Sequence, residues 1–489
     1  MEIGRKVIYT DFEKVDNSNI LKVLSDAIPK HEENVRMIKK LLEYDAGIQQ
    51  ISRVKTYRPD INCECIDNVA NEITEFWLGY SWGFPITLVQ RGVKDSGKVD
   101  ESKAIALLNE QYSAAGFEAK TQELGRYVEI TGIGYTFVDI NTEYDEEDNT
   151  SLFNLEVLSP ECTFVVRSRA YTDKRIVLAV TYSENDNMER HYTCFTKDRR
   201  FELLGTNVDA NKRLPRNNEL NPLGRIPIVE WIRSFDRMGV FERQLSEMDN
   251  LNLLISDFSN DVDQNTQAIW HANDIDFTED EDGNLIVPKS NEWVLTETTP
   301  DGKQPFITPL AVAYDYAGML NNINERRAMI LQKCNVPMRN STSGGSTGIA
   351  MDSATGWASA ETSAAKQQLI TESCKMEEVK LALAAIKRSI YAGADNEMLK
   401  LRAIDIKPNI KRQKSYEMTV KMNFFATGIS HGLNGQHLIA AMNAFDDANQ
   451  VWEDSKETIE AFQRNLTKDE SRLSADNSDE VNNTPLLKG

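Results

Sequence analysis

The sequence predicts an α+β protein organised around an arm of two helices joined by a small β-containing insert. Residues 1–236 alternate between amphipathic helical segments and short runs of strand-forming residues. A helical run follows, FERQLSEMDNLNLLISDFSNDVDQNTQAIW, then a segment with strand and turn signals, and then a second helical run, YDYAGMLNNINERRAMILQKC. These observations indicate a chain that leaves a folded body at residue 241 and returns to it near residue 337.

Length and composition are those of a folded protein with room for two or three domains. The 489 residues are 40% hydrophobic and 27% charged, with a formal net charge of −21. Such an acidic chain is unsuited to gripping DNA phosphates tightly, although DNA could slide past it. Without an apolar run of roughly 20 residues or a signal-peptide core, we expect a cytosolic product with six reduced cysteines.

The body is predicted in order from its hydrophobic spacing. Residues 1–30 are expected to be a polar lead with one short amphipathic piece, and helices are expected at 32–51, 62–80, 102–117 and 122–131. Strands are expected at 86–89, 135–140, 152–158, 163–167, 175–182, 189–195 and 200–204, and again after the turn NPLG near residue 226. The acidic turn between 140 and 152 predicts a hairpin, and residues 207–221 read as a loop.

The first arm helix, expected over residues 241–270, combines an apolar stripe with many acids. The stripe consists of Phe241, Leu245, Met248, Leu251, Ile255, Phe258 and Val262. Most acids lie outside it, among them Glu247, Asp249, Asp257 and Asp261. By itself this pattern is typical of a surface helix with a solvated acidic face. In the insert, Asp282-Gly283 predicts a hairpin turn, because an EF-hand loop would need Glu where Lys289 stands.

The segment after the second arm helix is rich in Gly, Ser and Thr and predicts a flexible loop. It lacks the Lys of a phosphate-binding GxxxxGK[ST] motif. Residues 352–392 then predict one very long helix, with Asp352 as N-cap and Gly393 as its stop. YEMTVKMNFF predicts a late strand, residues 435–463 a mostly helical region, and residues 471–489 a disordered tail.

Motifs for catalysis are missing from the sequence. The five histidines form no HExxH, no GxSxG is present, and Gly132-x-Gly134 lacks the third glycine of a dinucleotide loop. We therefore expect no enzyme activity, no cofactor and no resident metal.

Several short motifs, in this order, resemble those of the portal proteins of tailed bacteriophages, in particular the siphovirus type. They are LLEYDAGIQQI, a helix ending in GFPITL, Gly134-Tyr135 with the strands up to Leu158-Ser159-Pro160, NPLGRIP, and SGGSTGIAM. The resemblance extends from about residue 35 to residue 430. Asp45 stands where the family's N-terminal signature has a second tyrosine.

The resemblance implies a ring of, typically, twelve subunits at one capsid vertex, through which DNA is packaged and ejected. Its parts would be a wing (1–240), stem helices (241–270 and 311–336), a clip (271–310), a tunnel loop (337–351), a long helix returning to the wing (352–428), a crown (429–468) and a disordered tail (469–489). The implied partners are identical subunits, double-stranded DNA passing without sequence specificity, the major capsid protein, the packaging terminase and head–tail connectors, with no membrane. The protein would reside in the virion and, during assembly, in host cytoplasm.

Three sets of residues would then carry the function. The tunnel loop would contact DNA through Arg339, Asn340, Ser341, Thr342, Ser343, Gly344, Gly345, Ser346, Thr347 and Gly348. The four acids Glu247, Asp249, Asp257 and Asp261 would face the lumen, and the apolar stripe from Phe241 to Val262 would pack against the neighbouring subunit. Two alternatives stay open: a virion scaffold or adaptor without a DNA channel, and a metal-dependent nucleic-acid enzyme using some of the many acids.

Overall fold

The computed structural model describes residues 4–51, 59, 61–91, 101–145, 147–148, 150–170, 173–186, 189–204, 217–266, 270–273, 305–309, 315–338, 356–393, 396–412, 418–442, 451–452, 454–459 and 461. The chain divides into two compact units, Met1–Arg412 and Gln413–Gly489. Helices and sheets are mixed, in agreement with the expected α+β class.

The helices, in chain order, are α1 (Ile20–Asp45), α2 (Val69–Ser81), α3 (Ser102–Ala114), α4 (Phe117–Thr131), α5 (Leu245–Thr266), α6 (Tyr316–Lys333), α7 (Trp357–Arg388), α8 (Met418–Ser430) and α9 (Gly435–Met442). The strands are β1 (Ile8–Thr10), β2 (Thr87–Gln90), β3 (Ile133–Ile140), β4 (Phe153–Leu158), β5 (Thr163–Ser168), β6 (Ile176–Glu184), β7 (Arg190–Phe195), β8 (Arg199–Leu204), β9 (Asn217–Leu220), β10 (Ile228–Ile232), β11 (Trp270–Asn273), β12 (Phe306–Pro309) and β13 (Ile406–Asn409).

A six-stranded sheet, in the order β1-β5-β6-β7-β8-β9, forms one part of the first unit. Its strands pair antiparallel except for β1, which runs parallel to β5. Alternate residues such as Val166, Leu178 and Phe201 are buried in a core shared with α1. The edge strands β1 and β9 were not expected from the sequence, and β9 lies where a loop was predicted.

The polar lead predicted for residues 1–30 is wrong from residue 20 onward, because one helix of 26 residues, α1, runs from Ile20 through Pro29 to Asp45. Val23, Leu24 and Ala27 are buried, so packing against the sheet holds the first turns in spite of the proline. The helix ends before Gly47, whose φ is +86°, and therefore stops short of the predicted residue 51.

A smaller sheet has three strands in the order β10-β3-β4, and its last strand in the sequence, β10, precedes the arm. The predicted hairpin is confirmed, since β3 and β4 pair antiparallel from Tyr135↔Leu158 to Ile140↔Phe153. Helix α4 turns directly into β3 at Gly132, where φ is +79°. A Cβ there would lie 2.6 Å from the backbone of Arg237 and Met238, so this position requires glycine.

Helix α7 is 32 residues long, about 48 Å at 1.5 Å per residue, and packs on β3 and β10. It begins after Gly356 and ends at Arg388, before the predicted stop at Gly393; Asp352 lies outside the described residues. The chain then returns to the body through β13, which pairs antiparallel with β2. Val379, Ala382 and Ile386 of α7 belong to the core beneath these elements.

The second unit contains α8 and α9, which pack closely against each other. The late strand predicted from YEMTVKMNFF is wrong, because residues 418–425 belong to α8. Apolar residues alternate with polar ones from residue 416 to 424, which is the pattern of a strand, but packing against α9 stabilises a helix over so short a segment. A Cβ on Gly428 would lie 2.6 Å from the Leu438 side chain, which shows how close the two helices are.

Candidate functional site: the two-helix arm and its anchor

The arm consists of α5, the strand pair β11–β12 and α6. The two helices pack along each other, and near their far end the rings of Phe258 and Tyr316 meet edge to face at 5.9 Å. Beyond them β11 and β12 pair antiparallel, from Trp270↔Pro309 to Asn273↔Phe306. The described part of the insert is therefore a β ribbon that lies between the two helices in the sequence. Residues 267–269, 274–304 and 310–314, including Asp282-Gly283, lie outside the described residues.

The base of the arm is buried in the body. Phe241, Met248 and Leu251 are at most 1% exposed and share a core with residues of α1, α2 and α6. The ring of Phe241 stacks on that of Tyr44, with centroids 6.1 Å apart. This apolar contact therefore buries the bases of both arm helices in the body.

A ladder of polar side chains on α5 holds a second segment of the body. Residues 61–68, called here the anchor segment, form neither helix nor strand and run along α5. The helix predicted over residues 62–80 is therefore wrong for residues 62–68, because α2 begins only at Val69. The backbone N–H groups of Cys63, Cys65 and Asp67 donate hydrogen bonds to the side-chain oxygens of α5 residues. The pairs are Cys63 to Asn260 at 2.7 Å, Cys65 to Ser256 at 3.0 Å, and Asp67 to Asn252 at 3.0 Å.

The regular spacing of this ladder follows from geometry. Asn252, Ser256 and Asn260 are four residues apart, which corresponds to a rise of about 6 Å on a helix. Alternate residues of an extended chain are about 6.6 Å apart, so every second N–H of the anchor segment meets one side chain. The three side chains are at most 3% exposed. Their polar atoms would be costly to bury without partners, so the ladder specifies one register between α5 and the anchor segment.

Helix α6 is tied to the same region by Arg327. Its guanidinium contacts the carboxylates of Asp67, at 2.9 Å, and Glu72. The indole N–H of Trp77 donates to the carbonyl oxygen of Cys334 at 3.1 Å, at the end of the helix. Both arm helices are therefore bound to the stretch from the anchor segment to α2, and this stretch positions the arm.

The four predicted lumen acids occupy different surroundings. Glu247 is half-buried and lies 3.7 Å from the ammonium group of Lys333. Asp249 is exposed and accepts a hydrogen bond from the Tyr44 hydroxyl at 2.9 Å. Burial and this carboxylate together raise the pKa of Tyr44. Asp257 and Asp261 are half-buried on the distal half of α5. The placement of these acids in a lumen stays a prediction.

The predicted packing stripe divides into two parts. Phe241, Met248 and Leu251 lie in the chain's own core, which leaves them no free surface for a neighbouring subunit. Leu245, Ile255 and Phe258 are half-buried, whereas Val262 is 39% exposed. A packing role between subunits therefore stays a prediction for the distal part of the stripe. The predicted tunnel loop, Arg339 to Gly348, lies outside the described residues.

The residues of the anchor were not predicted from the sequence. Asn252, Ser256, Asn260 and Arg327 read as ordinary polar positions on amphipathic helices. The available signal was the spacing of small polar residues at i, i+4 and i+8 beside an apolar stripe, which marks a helix face that binds another backbone.

Other chemistry can be stated only for the described residues. The six cysteines, all of which fall within them, are free. Among the described residues, no three His, Cys, Asp or Glu side chains are grouped so that they could hold a metal ion. Within the same part of the chain, none of the helices combines the length and apolarity that a membrane span requires.

The fold and the arm together define a mixed α+β chain with a pair of packed helices joined by a β ribbon, and comparison identifies its family. The model of the family described as "Phage portal protein, SPP1 Gp6-like" matches residues 25–465, which is nine-tenths of the chain. The chain therefore belongs to this family of phage portal proteins. Membership confirms the predicted resemblance and indicates a structural component of the virion. No curated protein matches the chain.

Proposed function

We propose that this chain forms a ring, of twelve subunits by the family's typical number, that surrounds a DNA channel at one capsid vertex. Family membership over residues 25–465 is the observation that carries the proposal. The arm supports it, because two paired helices rooted in a folded body give each subunit a rigid element for lining a shared bore. The ring would serve as the platform for the packaging motor and, later, for head–tail connector proteins.

The charge of the arm suits a channel that DNA passes without stopping. Glu247, Asp249, Asp257 and Asp261 are partly or fully accessible on α5, and the whole chain carries −21. Carboxylates repel the phosphate backbone, so duplex DNA would not be held by many ion pairs. The uncharged Ser, Thr and Gly residues of the tunnel loop would provide the closest contact, with Arg339 as the only charged residue from 339 to 348.

Deleting Ser341–Thr347 tests this function. We expect the shortened chain to assemble into rings, while heads built with it fail to package or retain DNA. A matched control removes seven residues from another segment predicted as a loop, 207–213, and should package normally. DNA per head, measured by nuclease protection, distinguishes the two. Normal packaging with the shortened tunnel loop would contradict a channel role and favour a scaffold or adaptor without a DNA channel.

A further inference from the structure

A basic groove lies in the first unit of this acidic chain. A cavity of about 790 Å³ opens where β10 and α7 meet the ends of β5 and β6, and its bases are Arg167, Arg175, Lys197, Arg225 and Arg388. An adjoining cavity of about 530 Å³ shares Arg225 and Arg388 and adds Lys380, Lys387 and Arg402. We call the two cavities together the basic groove. With Glu230 and Glu377 as its acids, its formal charge is 8 − 2 = +6.

Part of this positive charge has no carboxylate partner among the described residues, although Arg175 pairs with Asp173 at 3.2 Å and Arg402 with Asp405 at 2.7 Å. Glu230 is buried and already bound by Arg167, at 2.8 Å, and by Arg237. Glu377 pairs with Lys380 at 2.6 Å. Lys197, Arg225 and Arg388 are exposed, and none forms an ion pair with any residue that the structure describes. The groove therefore presents unpaired cations that an acidic partner could satisfy.

The lining of the groove favours a polypeptide over nucleic acid as the occupant. Ile176, Ile226 and Leu381 contribute apolar surface between the bases. The phosphates of a nucleic acid would not bury this apolar surface, whereas a peptide segment supplies both carboxylates and apolar side-chain groups.

The opposite end of the same sheet carries the complementary charge. Strand β6 is nine residues long and runs from Ile176 in the groove to Glu184, which places its ends about 27 Å apart. Asp186 and Glu189, in the connection from β6 to β7, are exposed. We call the described residues Glu184, Asp186 and Glu189 together the acidic turn. The nearby Arg190 is already paired with Glu32 and Glu184, so it does not neutralise Asp186 or Glu189.

We propose that the acidic turn of one copy docks in the basic groove of the next copy. This inference rests on the proposed ring and names a contact within it. Two different patches at opposite ends of one strand produce a head-to-tail interface, which closes into a ring when the rotation between copies allows it. Such a contact also gives copies with a charge of −21 each a local attraction that opposes their overall repulsion.

Charge reversal with complementation tests the contact. The groove variant carries Lys197→Glu, Arg225→Glu and Arg388→Glu, and the turn variant carries Asp186→Lys and Glu189→Lys. All five positions are exposed, so circular dichroism should show both variants folded. A control changes the charge by the same −6 at exposed positions outside the groove, through Lys40→Glu, Lys366→Glu and Lys407→Glu. Light scattering and negative-stain images of the full chain report assembly.

We expect the wild type and the control to form rings and each reversed variant alone to stay monomeric. Mixing the two variants should restore rings, because the acidic groove of one accepts the basic turn of the other in alternation. Rings formed by the groove variant alone would overturn the inference and assign the groove to DNA or another protein. A mixture that stays monomeric, or a control that loses rings, would also overturn it. A wild-type chain that never assembles would overturn the proposed ring itself, and this contact with it.

Discussion

The ladder between α5 and the anchor segment makes the position of the arm depend on single hydrogen bonds. In Ser256→Ala, the N–H of Cys65 loses the acceptor that now lies 3.0 Å away, at a site where Ser256 is fully buried. Leaving a buried donor unsatisfied costs about 1–3 kcal/mol. Asn252→Leu and Asn260→Leu remove the acceptors for Asp67 and Cys63 and should cost similar amounts.

Hydrogen exchange measured by mass spectrometry reports this loss of stability locally, in the peptide that contains the affected N–H groups. A loss of about 1–3 kcal/mol corresponds to exchange about 5- to 150-fold faster in the peptide that covers residues 61–68, if the segment opens locally. Ser246→Ala and Asn250→Leu are matched controls, because both residues are exposed on the same helix. They should change exchange in this peptide by less than about twofold.

The reasoning would be refuted by equal exchange in Ser256→Ala and Ser246→Ala. Such a result would mean that apolar packing at Phe241, Met248 and Leu251 alone determines where the anchor segment lies. The arm would then be positioned by its base, and the register between α5 and residues 61–68 would not be specified by polar side chains.

Three further predictions concern stability and assembly. Lys375 and Glu378 of α7 are fully buried, and Nζ of Lys375 lies 2.6 Å from Oε1 of Glu378. Lys375→Met should therefore lower the free energy of unfolding, measured with denaturant, by about 3–5 kcal/mol, and adding Glu378→Met should recover most of this loss. Equal losses in the single and the double variant would contradict a coupled pair. Burial would raise the pKa of Glu230, but Arg237 and Arg167 outweigh burial and lower this pKa to about 2. Because the folded pKa lies below the unfolded value, the free energy of unfolding should fall by about 3 kcal/mol as the pH drops from about 4.5 to 2. A Glu230→Gln chain that keeps this fall would refute the assignment. Val262 is 39% exposed on the distal part of the arm, so Val262→Asp should weaken ring assembly measured by light scattering. The control Ile404→Asp, at a 67% exposed position on the body, should leave assembly unchanged. Unchanged assembly in Val262→Asp would exclude this part of the stripe from the subunit contact.

The body was largely predictable because its signals are local. The β3–β4 hairpin follows from alternating residues on both sides of a polar turn, and α4 follows from helical spacing. Helix α2 was predicted as well, but seven residues too early at its start. Strand β1 was not predicted, because three residues are too few to show the alternation of a strand. It is stabilised by parallel pairing with β5, which is distant in the sequence. Helix α1 continues through Pro29 because the burial of Val23, Leu24 and Ala27 offsets the cost of the proline, so the short amphipathic piece and the helix expected from residue 32 form one helix.

The candidate site was predictable only in outline. The apolar stripe of α5 is visible in the sequence, but sequence could not distinguish the part that covers the chain's own core from the part left exposed at Val262. Asn252, Ser256 and Asn260 look like solvent-facing residues, because a polar side chain in a helix does not reveal its partner. Their role depends on residues 61–68, nearly 200 positions earlier in the chain.

Imaging the purified full-length chain, alone and together with capsid components, tests the central claim most directly. We predict closed rings in negative-stain or cryo-electron microscopy, with the α5–α6 arms of successive subunits surrounding a bore wide enough for duplex DNA. A uniform population of monomers under both conditions, or rings whose bore is formed without the arms, would contradict the account.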